Sequence, residues 1–263
     1  MRLVRKQLEP RPDDWVPAGP RDKWIGRKDG NYAWYEIQDT VDYWGEFQKQ
    51  KIVYQVIQYS PSYAIDLEGL FSNDKTFIIP STRRELIAVL NSPLMWWFNW
   101  RHLTHLKDEA LSPMGYKMEQ APVSNFASKN IIEVAGHVDS LLKHSRYLVA
   151  AFGSIHDWLR LEFGLEKAAD ALSKPHDLDA DGFAAAVRKA LPKSRKLSSA
   201  EIARLKQEHA STVEPARRAA REALALERRL SDLVNAAYGL TPDEVALMWK
   251  TAPPRMPILP PET

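Results

Sequence analysis

Short runs of apolar residues dominate the first half of the chain and favour strands. The clearest run, at 51–57, is rich in β-branched and aromatic residues, which is typical of a half-buried strand. The segments 32–37 and 76–79 have a similar composition and predict two further strands. Turn-forming pairs at Pro61-Ser62 and Asn73-Asp74 separate these runs.

From about residue 128 onwards the apolar positions follow a helical period. Over 130–163 this period predicts two helices, with a break at Gly153-Ser154. Capping residues and prolines predict the other helices of the chain. In the first half they are a short helix at 40–47, a helix capped by Ser81 or by Thr82 in a capping box with Glu85 and ended by Pro93, and a second helix at 94–106. In the second half they are a helix at 183–191 capped by Asp179 or Asp181, a long helix capped by Ser198 or Ser199 that runs to about Tyr238 and is kinked or divided at Pro215, and a last turn at 245–249. A short strand is predicted at 114–118.

These patterns predict an α+β fold with a small mixed sheet, followed by an all-helical region with a long helix. The prolines and glycines of residues 1–30 are typical of a linker. Residues 31–127 then form the α+β domain. Residues 128–263 form a helical domain with a proline-rich tail.

The composition of the chain excludes several classes of protein and of functional site. The chain contains no cysteine, which excludes disulfide scaffolds, thiolate metal sites and cysteine nucleophiles and fits a cytoplasmic protein. Neither a signal peptide nor an apolar run of membrane-spanning length is present, so we expect no membrane partner. The formal net charge of +2 conceals a segment, 188–229, with twelve basic and five acidic residues.

Motifs of self-sufficient enzymes are missing from the sequence. It contains no GxGxxG, GxxxxGK[ST], GxSxG or HExxH pattern. We therefore assign no catalytic, cofactor-binding or metal-binding residue to this chain.

Two weaker patterns leave alternatives open. His102 and His105 are three positions apart on a predicted helix, a spacing that suits either a metal-ligand pair or structural histidines. Asp66 and Glu68 with Lys75 have the residue types of a nuclease site, but their separation does not fit a strand-turn-strand nuclease core.

Aromatic and basic groups suggest contacts with nucleic acid. The tryptophans Trp96, Trp97 and Trp100 either stack on bases or pack their helix onto the sheet. Arginines recur along the long helix, and they form either a solvated face or a surface for phosphates. They are Arg217, Arg218, Arg221, Arg228 and Arg229.

Three stretches carry a resemblance to a known family. They read WYEIQDTVDYWGEFQKQKIVYQVI, FSNDKTFIIP and ELIAVLNSPLMWWFNW. Together they resemble the C-terminal target-recognition domain of adenine-specific DNA methyltransferases of the TaqI-like and Eco57I-like restriction-modification type. The resemblance covers residues 31–125, and YGLTPDEVALMW extends it weakly over the helical half.

The resemblance implies a DNA-recognition role without catalysis. Family members carry an S-adenosylmethionine-binding domain and an Asn-Pro-Pro-Tyr type motif that holds the flipped adenine. This chain has no Asn-Pro-Pro, so we expect no cofactor here and S-adenosylmethionine only in the missing methyltransferase domain. The chain is then expected to be a C-terminal piece, whether a split subunit, a gene fragment or a cut product.

Duplex DNA is the expected partner, with a methyltransferase or restriction subunit as a second one. Candidate contacts near strand ends and on the aromatic helix are Gln48, Lys49, Gln58, Tyr59, Ser62, Tyr63, Arg101, His102, Lys107 and Lys117. Two alternatives stay open: a specificity subunit that acts only with a separate methyltransferase chain, and a non-functional remnant or protein-interaction module that uses its helical tail.

Overall fold

A computed structural model describes residues 2–39, 41–166 and 172–260 and has an α+β fold. Its strands are β1 (Lys51–Gln55), β2 (Tyr63–Asp66), β3 (Thr76–Ile79), β4 (Thr104–His105) and β5 (Leu111–Ser112). Its helices are α1 (Arg2–Leu8), α2 (Trp44–Phe47), α3 (Arg84–Leu90), α4 (Pro93–His102), α5 (Gly115–Met118), α6 (Ser128–Phe163), α7 (Ala180–Ala190), α8 (Ser199–Glu208), α9 (Glu214–Ala237) and α10 (Pro242–Lys250).

The main sheet has three strands in the order β2-β1-β3, and both pairings are antiparallel rather than mixed. The strands predicted at 51–57 and 76–79 are confirmed as β1 and β3. At the centre, Tyr54 lies opposite Tyr63 and Phe77, with ring centroids 5.2 and 5.5 Å apart. Such cross-strand aromatic pairs stabilise a small sheet.

Two predicted strands are absent from the structure, and one hairpin was missed. Residues 32–37 form turns and bends, and 114–118 contains the helical turn α5 instead of a strand. The hairpin β4–β5 was not predicted, because strands of two residues are too short to show an alternating pattern.

The start of α4 is confirmed, whereas the predicted cap of α3 is not. Pro93 occupies the first turn of α4, and Ser92 caps that helix by accepting a hydrogen bond from the Met95 amide at 3.1 Å. The predicted Thr82–Glu85 capping box is not formed. Instead, α3 begins after Arg83, which donates to the Glu85 carboxylate at 2.7 Å.

The segment 130–163 belongs to one continuous helix, so the predicted break at Gly153-Ser154 is wrong. α6 has 36 residues and ends at Gly164, whose φ of 69° favours glycine. Its N-terminal half packs Val134 into one core, and its C-terminal half packs Ile155 into another. Packing at both ends outweighs the cost of about 1 kcal/mol for a glycine in a helix.

Pro215 divides the predicted long helix, as expected. α8 begins with a capping box between Ser198 and Glu201, and a π-helical turn at His209–Val213 joins it to α9. Proline has no amide hydrogen to continue the α-helical ladder, so a change of helical register lies immediately before it.

Two large hydrophobic cores lie along α6. The first combines the sheet and α3–α4 with α6 and α9, and includes Ile52, Met95 and Leu233. The second lies among α6, α7, α8 and the π-helical turn, around Phe183 and Leu205. No helix within the described ranges is both long and apolar enough to span a bilayer.

Candidate nucleic-acid interface

The end of α4 and the hairpin β4–β5 form one surface, which we call the hairpin face. Leu103 and Leu111 lie on either side of the hairpin and pack with Trp96, which is fully buried. The Leu106 amide donates to the Ala110 carbonyl at 2.8 Å and closes the hairpin. The hairpin is therefore anchored by a buried apolar cluster, while its tip, residues 107–109, is charged and exposed.

Four of the predicted contacts meet on this face. Lys117 of α5 donates to the His102 carbonyl at 3.3 Å and to the Thr104 hydroxyl at 2.9 Å. Arg101 precedes His102 at the end of α4, and both are exposed. Lys107 is exposed at the hairpin tip.

Arg101 is oriented by its neighbours. Its guanidinium lies 3.8 Å from the centre of the Trp97 ring. It donates to the Trp97 carbonyl at 2.8 Å and to the Thr251 carbonyl at 3.0 Å. A stacked guanidinium retains further N–H donors, so this arginine suits recognition of a phosphate.

Arg255 joins the hairpin face from residues 251–260, which follow α10 and which we call the C-terminal segment; this contact was not predicted. It donates to the Asp108 carbonyl at 3.1 Å, lies 3.9 Å from the Glu109 carboxylate and stands 5.1 Å from the Tyr59 ring centre. No local pattern marks Arg255, because 147 positions separate it from Asp108 along the chain.

The backbone of the hairpin tip is strained. Among the described residues, the non-glycine residues with positive φ are Asp108 at 59°, Glu109 at 61° and Arg255 at 57°. All three meet at this one place. Left-handed backbone costs about 1 kcal/mol or more per residue, and such strain is concentrated at functional sites.

Two predicted contacts are buried, which corrects the sequence analysis. Gln58 is 1% exposed and its backbone pairs with Leu111 at 2.9 and 2.8 Å, while Tyr63 is 5% exposed in the first core. Burial raises the pKa of the Tyr63 hydroxyl, an effect that the nearby carboxamides of Gln58 and Asn99 oppose. Neither Gln58 nor Tyr63 presents its side chain to a duplex.

The remaining predicted contacts are exposed, but they lie at opposite ends of β1. Tyr59 is exposed beside Arg255, and Ser62 is exposed immediately before β2. Gln48 and Lys49 precede the opposite end of β1, where Lys49 pairs with Glu46 at 2.6 Å. Gln48 and Lys49 therefore do not join the hairpin face.

The histidine pair does not form a metal site. His102 Nδ1 lies 2.8 Å from the Phe98 carbonyl, whereas His105 Nε2 lies 2.7 Å from the Trp100 carbonyl. Within the part of the chain that the structure describes, no group of three or more histidine, cysteine or acidic residues is placed to hold a metal ion.

The carboxylates of the nuclease alternative have structural partners. Asp66 forms a buried ion pair with Lys51, and its oxygens accept hydrogen bonds from the amides of Glu68, Gly69 and Leu70. Lys75 pairs with Asp74 at 2.7 Å instead. The side chains needed for a nuclease centre do not converge.

The tryptophans of α4 pack against the C-terminal segment and the hairpin, and not against the sheet as expected. Trp96 donates to the Pro254 carbonyl at 3.0 Å, and Trp97 donates to the Thr251 hydroxyl at 2.9 Å. Trp100 packs with the cluster formed by Trp96 and the hairpin. They hold the hairpin and the C-terminal segment together, rather than packing on the sheet.

Part of the basic face of α9 is neutralised within the chain. Arg217 and Arg221 lie 3.3 and 3.6 Å from Glu214, and Arg229 lies 2.7 Å from Glu133 of α6. These pairs favour a structural face of the helix over a dedicated phosphate surface.

Comparison with known proteins identifies similarity in the helical region. Residues 127–234 match a family model described as a domain of unknown function, DUF8810. No curated protein and no solved structure matches the chain. The matched segment runs from α6 into α9 and contains the second core, while the hairpin face lies outside it.

Proposed function

We propose that this chain is the DNA sequence-recognition portion of an adenine-N6 methyltransferase or restriction-modification enzyme. It binds duplex DNA, and a separate domain or chain binds S-adenosylmethionine and carries out catalysis. The methyltransferase context is supported by the sequence resemblance over residues 31–125. DNA binding is supported by the convergence of basic groups on the hairpin face.

The observation that carries the proposal is the arrangement of cations around an exposed hairpin tip. Arg101 and Lys117 lie at its base, and Lys107 lies at the tip. Lysine and arginine at such positions grip phosphates and orient the protein on the duplex. The exposed Asp108 and Glu109 at the tip have the acceptors needed to contact cytosine amino groups.

The test is the salt dependence of binding to a labelled pool of random-sequence duplexes, measured by fluorescence anisotropy. We expect Lys107→Ala and Lys117→Ala each to weaken binding. Each should also reduce the magnitude of the log-log salt slope by about 1, the value for one lost phosphate contact.

Lys189→Ala provides the matched control, since Lys189 is an exposed lysine on α7, outside the hairpin face. It should leave both quantities unchanged. The proposal fails if the chain binds no duplex, if binding is insensitive to salt, or if the hairpin and control variants behave alike.

Association with a catalytic chain is a second role, favoured by an exposed aromatic patch. Tyr43, Trp44 and Phe71 are 57%, 55% and 64% exposed, and Phe71 stacks on Phe47 with ring centroids 5.4 Å apart. Clustered exposed aromatics mark interaction surfaces. Mixing the chain with a candidate methyltransferase chain should give a complex in sedimentation velocity and restore adenine methylation, and Phe71→Ser should weaken both. If Phe71→Ser leaves both unchanged, or if no complex forms, the aromatic patch does not bind a catalytic chain.

A further inference from the structure

A half-open cavity of about 600 Å³ lies between the sheet, α3, α6, α9 and the C-terminal segment. Its apolar walls include Ile65, Ile87, Leu142, Leu230 and Ile258, each from a different part of the chain. Small-molecule sites have volumes of about 300–1,000 Å³ and similarly apolar walls. The cavity thus has the size and the lining of a ligand site.

The polar groups of the cavity fall into two sets. Asn91 and Ser92 already bond to neighbouring backbone groups. Ser145 on α6 and Ser231 and Glu227 on α9 have no side-chain hydrogen bond or ion pair among the described residues. Ser231 is buried, whereas Ser145 and Glu227 are exposed. The unpartnered groups of α6 and α9 therefore line one side of the cavity, and the exposed Ser60, before β2, lines it as well.

Among the described residues that line this cavity, Glu227 is the one carboxylate. Glu227 is exposed to solvent, although neighbouring protein atoms partly desolvate its carboxyl group and raise its pKa. The cation that also lines the cavity, Arg255, is directed to the Asp108 carbonyl and the Tyr59 ring. Glu227 thus lacks a cationic partner and would gain one from a ligand.

We propose that this cavity binds an apolar small molecule that carries one basic amine. The hydrocarbon body packs against Ile87, Leu142 and Ile258, and the ammonium group binds Glu227 with the hydroxyls of Ser145 and Ser231 beside it. A charge-assisted hydrogen bond of this kind discriminates between ligands, whereas an anionic ligand meets a carboxylate of like charge. The assignment is independent of DNA binding.

The C-terminal segment forms one wall and would respond to the ligand. Trp96 anchors this segment through the Pro254 carbonyl at 3.0 Å, and Ile258 is 7% exposed. Lys250 at the end of α10 and Arg255 within the C-terminal segment are exposed sites for trypsin. A ligand that packs against Ile258 should slow cleavage at these two residues.

The experiment titrates the full chain with 1-adamantylamine, 1-adamantanol and 1-adamantanecarboxylate, which share one apolar body and differ in charge. Methyl NMR shifts of Ile87, Leu142 and Ile258 report binding. We expect the amine to bind about threefold more tightly than the alcohol, because Glu227 is exposed and solvent screens its ion pair. The carboxylate should bind most weakly, and the amine should protect Lys250 and Arg255 from trypsin.

Two variants on α9 test the role of the carboxylate. Glu227→Gln should abolish the preference for the amine but keep binding of the alcohol. Glu222→Gln is the control, because Glu222 pairs with His144 at 3.7 Å and does not line the cavity. Thermal melts establish that both variants fold.

The binding preferences of the wild type and of the two variants decide whether the cavity binds an amine through Glu227. An amine preference that Glu227→Gln removes and Glu222→Gln retains supports it. Equal binding of the three compounds, a preference that survives Glu227→Gln, or unchanged methyl shifts in a folded protein would overturn it.

Discussion

The ion pair of Lys51 and Asp66 is buried in the sheet. The side chain of Lys51 is 0% exposed and that of Asp66 is 7% exposed. Lys51 also donates to the Phe47 carbonyl at 2.7 Å, while Asp66 accepts from three amides of the turn after β2. The pair thus ties this turn to the start of β1.

Lys51→Met should destabilise the protein by about 3 kcal/mol, because it leaves a buried carboxylate without its cation. Urea unfolding at neutral pH measures this difference. Lys75→Met provides the control, since the Lys75–Asp74 pair is exposed and should contribute little. Equal effects of the two substitutions would show that burial does not strengthen the Lys51–Asp66 pair.

The same pair predicts a pH dependence. Burial by itself raises the pKa of Asp66, but hydrogen bonds from Lys51 and the amides of Glu68 and Leu70 hold the pKa below its ordinary value. The stabilisation is therefore complete above the unfolded pKa of about 3.9 and is lost as the pH falls through the lower folded value.

Because Lys51→Met removes most of this effect, the stability gap between wild type and variant should narrow as the pH falls below about 4. Urea midpoints at pH 7, 5, 4 and 3 measure the gap. A gap that stays constant over this range would contradict the assignment to Asp66.

At the scale of elements, α6 shows how packing overrides a local signal. The helical period of 130–163 is confirmed, but Gly153-Ser154 does not end the helix. Its two ends pack in different cores, so the helix must be continuous to join them. A sequence window cannot show this requirement, because the partners of each half lie on other elements.

Gly153→Ala should therefore stabilise the protein by about 0.5–1 kcal/mol, since no atom lies within 4 Å of the added methyl group. The matched substitution Gly164→Ala should destabilise it, because φ there is 69°. Thermal melts compare the two. Destabilisation by Gly153→Ala would indicate a helix that is locally open at that residue.

At the scale of the whole molecule, the first core crosses the boundary predicted between 127 and 128. Ile52 and Met95 pack in one cluster with Val134, Val138 and Leu233. Removing α6 and α9 would expose this apolar surface to water. The α+β region is therefore expected to depend on the helical region for its stability.

A fragment of residues 31–127 should accordingly fail to fold alone. We expect a poorly dispersed NMR spectrum and no cooperative thermal transition, in contrast to the full chain. A dispersed spectrum with a sharp melt would instead show that the sheet and α3–α4 form an independent domain.

The sequence by itself determined the elements whose signals are local. β1 follows from its β-branched residues, the start of α4 from Ser92 and Pro93, and the division before α9 from Pro215. Side-chain shape and the missing proline amide act within a few residues, so these features are visible in a short window.

Only the tertiary structure decided which residues share a surface. It buries Gln58 and Tyr63, and it places Arg255 beside Asp108 and Thr251 beside Arg101 across about 150 positions. Burial and long-range contacts depend on how elements pack, and one polar residue looks the same in a sequence whether it faces solvent or a core. The candidate interface and the cavity are therefore properties of the packing, built from residues that local patterns leave apart.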